Sequence, residues 1–413
     1  MATTRHLRAA QRRLGSLRRR PEVRAFERAA RARGAAAWLV GGALRDLLLG
    51  RPVAEVDVAV AGDAEELASD LERDGAGRAV FLSRDRPGPR VYRVAGRHVL
   101  DIAELEGGSI SADLGRRDFT VNAFALDLST GGLVDPFGGL SDLARRRLRS
   151  VSDENLSEDP LRMLRAARFL ATHGLRPEAE LLTAARRRAP LIERVAVERI
   201  GAELSKLLGA ARAAPALEWA ARARILPAVL GRRATPSRAF ALARSLEAFD
   251  DAAVRRLSSP RRRRLRLARL ALALRLPAPA ARSWLSERRW SRDESRDAAH
   301  LVELAASSRR TASARDAWAW ILDADDLAED ALMLLDRLGA ADRRRARNLR
   351  HRLARRRPRV AIRGQDVVDW LGIGAGPRVG ELLRAARVAA AMGEVSNRRE
   401  ARNWLIGQVR EGL

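Results

Sequence analysis

The sequence has no cysteine, a single lysine (Lys206) and one tyrosine. Without cysteine there are no disulfides, thiolate zinc sites or cysteine nucleophiles, and the compartment is left open. Histidine is scarce too. His6, His98, His173, His300 and His351 stand singly, and none forms the i,i+4 pair of a helical zinc site. A Walker A pattern is also missing. Any metal site must therefore be built from carboxylates, which favours magnesium or manganese. No apolar run approaches the roughly 20 residues that span a bilayer, so a soluble chain with no membrane partner is expected.

What the sequence does have is positive charge. Its 413 residues carry 79 basic against 52 acidic side chains, a net charge of +27. Such an excess repels itself unless a polyanion neutralises it, which makes nucleic acid the first partner to consider. A base-composition bias replaces lysine by arginine, but it does not create an excess of base over acid. The arginine-rich start, residues 1–34, reads as a basic helical extension, with a transit peptide as the alternative. A cytoplasmic location is expected.

Strand signals are confined to residues 35–128. Ala36–Val40 is a short apolar strand ending in Gly41-Gly42, and Val56, Val58 and Val60 alternate with Glu55, Asp57 and Ala59. Further strands are predicted at 78–83, 90–95, 99–104 and 123–128, with a Pro/Gly-rich loop at 85–90 and helices at 43–49 and 65–73. After about Asp135 the strand signals stop. From Glu158 onward, Leu and Ala recur at three- and four-residue spacing with Arg on the other faces, and Pro215, Pro260, Pro277 and Pro358 mark boundaries. The fold class is therefore α+β: a small head with a mixed β-sheet, followed by an all-helical remainder.

Two features of the head carry chemistry. Gly41-Gly42 joins a strand to a helix, where backbone amides and the helix N-terminus favour an anion, and Arg45 lies one turn further on. Glu55 and Asp57 leave the same face of one strand. Side by side they repel unless a cation bridges them. A divalent metal there would activate an attacking hydroxyl and neutralise a triphosphate. Asp101, on a strand that fits alongside, is a candidate third ligand.

The stretch Gly41–Pro52 followed by the acidic pair resembles the first motif of class II CCA-adding enzymes and bacterial poly(A) polymerases. Arg116–Ala123 is similar to their second motif, which implies ribose and triphosphate contacts by Arg117 and Asn122. Asp135–Gly139 with Asp142 and Arg149 resembles their hinge segment, Glu158–Phe169 their base-reading helix, and Glu198–Ile200 with Glu203 the motif that follows. The five occur in the family's order over residues 38–208. Gly364–Asp366 and Gly376–Gly380 resemble the C-terminal segment of some long members. One position departs: the family's first metal carboxylate is aspartate, and here it is Glu55.

The resemblance implies a nucleotidyltransferase head at 35–149, a base-reading neck at 150–215, a basic RNA-binding body at 216–357 and a helical tail at 358–413. It implies template-independent addition of C and/or A to the 3′ end of tRNA from CTP and ATP, with a two-metal magnesium site for which manganese substitutes. Glu55 and Asp57 are the expected catalytic residues. Gly41, Gly42, Arg45, Arg117, Asn122, Asp159, Arg162, Arg165 and Arg168 are expected to bind nucleotide. Asp159, Arg162, Arg165 and Arg168 recur every three residues as one polar helical stripe. Cytosine and adenine both present an amino donor beside a ring-nitrogen acceptor. A carboxylate accepts and a guanidinium only donates, so Asp159 beside Arg162 suits C and A and leaves U and G unpaired.

In the body, Arg261, Arg262, Arg263 and Arg264, and then Arg343, Arg344 and Arg345, are expected to hold RNA phosphates. Arg266, Arg347, Arg350 and 355–357 extend these clusters. The tryptophans are assigned to cores. Three alternatives stand: a poly(A) polymerase, which shares the five motifs; a catalytically weakened RNA-binding relative, suggested by Glu55; and a helical scaffold, which leaves the Gly-Gly turn unexplained.

Overall fold

The structure is a computed structural model that describes residues 12–82, 89–231, 234–354 and 360–410. The expected loop at 85–90 (apart from its last two residues), His6, the arginines of 355–357 and Pro358 lie outside the described residues. The chain forms two compact units, residues 1–207 with 215–232, and 208–214 with 233–413.

The first unit is built on a seven-stranded sheet. Its strands are β1 (Ala36–Val40), β2 (Glu55–Ala61), β3 (Arg78–Phe81), β4 (Val91–Ala95), β5 (Val99–Glu104), β6 (Ala125–Asp127) and β7 (Leu133–Val134). They lie in the order β3-β4-β5-β2-β1-β6-β7. Only β2 and β5 pair in parallel, so the sheet is mixed, as expected. The register sets Asp57 of β2 beside Asp101 of β5, and Asp101 beside Arg93 of β4. Three charged residues therefore form one row across three strands.

The packing follows the sequence pattern. Val56, Val58 and Val60 are fully buried. The helix Ala64–Arg73 starts where Asp63 accepts hydrogen bonds from the Glu65 and Glu66 amides, and it buries Ala64, Leu67, Ala68 and Leu71. The basic N-terminal segment is helical over 12–18 and Pro21–Ala32, with Leu14, Leu17, Val23 and Phe26 buried. Arg13 and Arg20 donate to the Leu48 and Val53 carbonyls, which ties the segment to the sheet's connections.

Two expectations change. The strand predicted at 123–128 shortens to Ala125–Asp127, preceded by a 3-10 turn at Thr120–Asn122. The strand signals also do not end at Asp135, because β8 (Arg147–Leu148) pairs in parallel with β9 (Arg176–Pro177). Two residues per strand are too few for a period of two to register. The helix Leu161–His173 starts directly after Pro160, which sits where a missing N–H is harmless, and it ends at Gly174 in the left-handed conformation.

The described part of the second unit has no strand. Arg266 is fully buried in it, and its guanidinium donates to the carbonyls of Leu208, Ala210, Ala211 and Phe249 and to Asp250. The tail has its own apolar cluster around Val367, Leu382, Ala386 and Leu405, against which Trp370 and Trp404 pack. Trp284, Trp290, Trp318 and Trp320 are buried, in keeping with their assignment to cores.

Candidate active site

A cavity of about 630 Å3 opens beside the sheet row, walled on one side by Gly41, Gly42, Asp57 and Asp101 and on the other by Asp159, Arg162, Arg165 and Arg168. The Gly-Gly turn and the polar stripe of the neck helix therefore meet in one place. Arg45, Arg117 and Asn122 also reach the wall.

The turn is shaped by a carboxylate. Gly41 has φ 74°, and a Cβ there would lie 2.8 Å from Asp57 Oδ2, so glycine is required twice over. Gly42 offers its amide to Asp57. The amide expected to face a phosphate thus faces a side chain of the protein. Even so, burial raises the Asp57 pKa above the ordinary carboxylate value; Arg117 opposes this, and Asp101 and Glu55 add to it. Asp57 is a carboxylate short of positive charge.

Asp101 is not. Arg93 Nε donates to its Oδ1 and Nη2 to its Oδ2, both at 2.8 Å, a bidentate pair. The same Nη2 lies 3.0 Å from Glu55 Oε2. The expected third metal ligand therefore has both oxygens engaged, and among the described residues no group of three metal-binding side chains occurs. Glu55 keeps its other oxygen and a side chain 54% exposed. Through this contact β2 reaches an arginine two strands away. Glu55 and Asp57 would suit a divalent metal, because the more buried member lacks a cationic partner at hydrogen-bond distance.

Arg45 lies deeper than expected. It is buried, it pairs with Asp46 through two donors at 3.0 Å, and its Nη1 donates to Asn122 Oδ1 at 2.6 Å. Asn122 in turn donates to Asp118, which also receives Arg165 and the Phe119 amide. Burial would raise the Asp118 pKa, but Arg165 and these donors hold it below the ordinary value. His173 closes the chain, with Nε2 3.1 Å from Asp46. Burial pushes the His173 pKa down to about 4, outweighing Asp46.

The neck helix presents its charges already anchored. Arg162 donates to the Asn155 and Arg116 carbonyls at 3.0 and 2.8 Å. Arg168 pairs with buried Glu203 and lies over the Phe169 ring. Asp159 does not bridge to Arg162, as on a plain surface helix. It is held by Arg199 at 2.8 Å and accepts from the Leu161 amide. Arg117 pairs with Asp113. Arg93, Asp118, Arg199, Glu203 and His173 complete the site and were not singled out from the sequence. Asp118, Arg199 and Glu203 lie inside the motifs, but nothing in the sequence marks Arg93 as the partner of Asp101.

Residues 37–149 match the poly(A) polymerase head domain, and 174–230 match the probable RNA- and SrmB-binding site of polymerase A. The CC-adding tRNA nucleotidyltransferase of Geobacter sulfurreducens is 33% identical, over 91% of this chain and 93% of its own length. The chain belongs to the family of CC- and CCA-adding tRNA nucleotidyltransferases. The CCA-adding enzyme of Geobacillus stearothermophilus is 30% identical over 88% of this chain and 91% of its own. Among solved structures, the Bacillus stearothermophilus CCA-adding enzyme in complex with CTP superposes with a TM-score of 0.72 at 28% identity, covering 95% of this chain and 98% of that one. The Thermotoga maritima CCA-adding enzyme in complex with tRNA shares the fold, with a TM-score of 0.70 at 22% identity over 95% of this chain and 97% of its own. A nucleotidyltransferase of this family uses a divalent metal.

The two body clusters differ. Arg261 and Arg264 both pair with buried Asp330, Arg263 pairs with Glu294, and Arg262 donates to the Gly209 and Leu257 carbonyls. Each of these four arginines, expected to hold RNA phosphates, is engaged by a partner within the protein. On the helix Ala340–Leu353, Arg343 donates to the Asp336 carbonyl and Arg345 to Asp342, whereas Arg344 and Arg347 are exposed, with no carboxylate partner among the described residues. Among the described residues no helix is long and apolar enough to cross a membrane.

Proposed function

We propose that the protein adds C and A to the 3′ end of tRNA from CTP and ATP without a template. One observation carries the reading: Asp57, the buried member of the Glu55–Asp57 pair, and the Asp159–Arg162 pair open onto the same cavity. The RNA 3′-hydroxyl attacks the α-phosphate, forming the O3′–P bond, and the α–β bond breaks as pyrophosphate leaves. Glu55 and Asp57 would hold magnesium, which supplies charge neutralisation and a more acidic hydroxyl; manganese substitutes. Asp159 accepts from the exocyclic amine of C or A, and Arg162 donates to the neighbouring ring nitrogen. Its anchoring on two carbonyls keeps the reading edge from rotating to suit U or G. The sheet row and neck stripe thus divide the work into transfer and selection.

A second reading is CC addition alone, favoured by the 33% identity to a CC-adding relative. Incubation with tRNA ending before CCA, with CTP alone and with CTP plus ATP, separates the two by product length. CCA addition yields three residues and CC addition two. Failure to extend any tRNA in magnesium or manganese would leave the weakened RNA-binding relative as the better account.

A further inference from the structure

We propose that Lys206 is a phosphate contact on the rim of the cavity, taking either the triphosphate of the incoming nucleotide or a backbone phosphate at the RNA 3′ end. The inference rests on the nucleotidyltransferase reading but is tested apart from it.

Two independent observations support it. The first is compositional. Of 79 basic side chains, one is lysine, and it lines this cavity. Arginine is a planar fork suited to fixed bidentate partners; lysine is a compact charge on a flexible stem with three rotatable donors. The second is geometric. The cavity's arginines already have close partners: Arg45 has Asp46, Arg116 Glu106, Arg117 Asp113, Arg165 Asp118 and Arg168 Glu203. Arg162 is bound to two carbonyls.

Lys206 differs from all of these. Its side chain is 63% exposed, and its partner among the described residues is Glu203 at 3.9 Å, beyond hydrogen-bond distance. Glu203 is itself held by Arg168 through Oε2. The three ammonium donors are therefore available to an incoming group. A phosphate oxygen is the acceptor that this cavity's substrates bring in greatest number. The stem allows the ammonium to follow a phosphate as each added nucleotide changes the strand end, whereas the anchored arginines hold fixed positions.

A one-lysine protein allows a direct test. Amine acylation of the full chain is followed at Lys206 by mass spectrometry, with the α-amine at the chain's start as the internal reference. The arms are no ligand, magnesium-free tripolyphosphate, CTP, and tRNA ending before CCA. Protection of Lys206 by about fivefold or more is expected in at least one arm. Protection by tripolyphosphate and CTP assigns the nucleotide's phosphates; protection by tRNA alone assigns the RNA backbone. Lys206→Met should then raise KM for the protecting ligand about tenfold with kcat little changed, and Lys206→Arg should recover part of it. Equal labelling in every arm, or a loss in kcat with both KM values unmoved, overturns the proposal. Because tripolyphosphate protection needs no turnover, an inactive enzyme would sink the proposed function without deciding this one.

Discussion

The two walls of the cavity treat charge in opposite ways. On the sheet wall, Asp57 is buried with its pKa raised and has no cation at hydrogen-bond distance, and Glu55 keeps one oxygen free. On the neck wall, Arg162, Arg165 and Arg168 are each bound to carbonyls or buried carboxylates. The sheet wall is electrically incomplete at Asp57, whereas the arginines of the neck wall are complete. A site that must gather a mobile cation benefits from the first arrangement. A site that must discriminate base edges benefits from the second, because a fixed donor cannot turn to suit the wrong base.

The largest effect should come from the incomplete wall. Asp57→Ala is expected to lower single-nucleotide addition roughly 1,000-fold or more, since the metal supplies several kcal/mol of transition-state stabilisation. Glu55→Ala should come close, and Glu55→Asp should retain or raise the rate. An active Asp57→Ala protein would remove the metal-pair assignment. On the complete wall, Asp159→Ala and Arg162→Ala should each cost about 1–3 kcal/mol of C/A discrimination while tRNA affinity holds. Competition among the four NTPs measures it, and unchanged selectivity in both variants would refute the base-reading role.

The walls should also differ in stability. A carboxylate whose folded pKa is raised weakens the fold once it ionises, so the Asp57 contribution is lost as pH rises from the unfolded value through the folded one. Asp57→Asn should therefore raise the metal-free Tm at neutral pH, and added magnesium should raise Tm in the native protein more than in the variant. Below the neck wall the sign is reversed. His173 titrates near 6.5 in the unfolded chain and at about 4 when folded, so the unfolded state binds more protons in between. Stability should fall as pH drops from 6.5 to 4, by about 3 kcal/mol at most for a shift of that size. Denaturation of His173→Gln across that window should show a flatter profile.

The smallest effect lies in the second unit. Arg344→Ala with Arg347→Ala should flatten the salt dependence of tRNA binding by about 0.8 per arginine. Arg262→Ala and Arg263→Ala should lower stability and leave the slope unchanged. A slope that changed with Arg262 and Arg263 instead would return the RNA contact to the earlier cluster.

Much of this site was legible in the sequence, because period and punctuation are local. Alternating valines placed Glu55 and Asp57 on one strand face, a glycine pair ended β1, and three-residue spacing aligned Arg162, Arg165 and Arg168. The mixed sheet and the helical remainder follow from the same signals. What a charged side chain meets across the fold is not local. Arg93 and Asp101 are joined by the β4–β5 register, Arg264 and Asp330 by the packing of helices 66 residues apart, and His173 and Asp46 by contact across 127 residues. Periodicity identifies the face a residue occupies, but only the partner brought to that face decides whether its charge is neutralised or left for a ligand. By itself the sequence determined the elements, the motif order and the chemistry available. The tertiary structure decided that Asp101 pairs with Arg93, that Arg261–Arg264 have partners within the protein, and that Asp57 and Lys206 have no counter-charge at hydrogen-bond distance among the described residues.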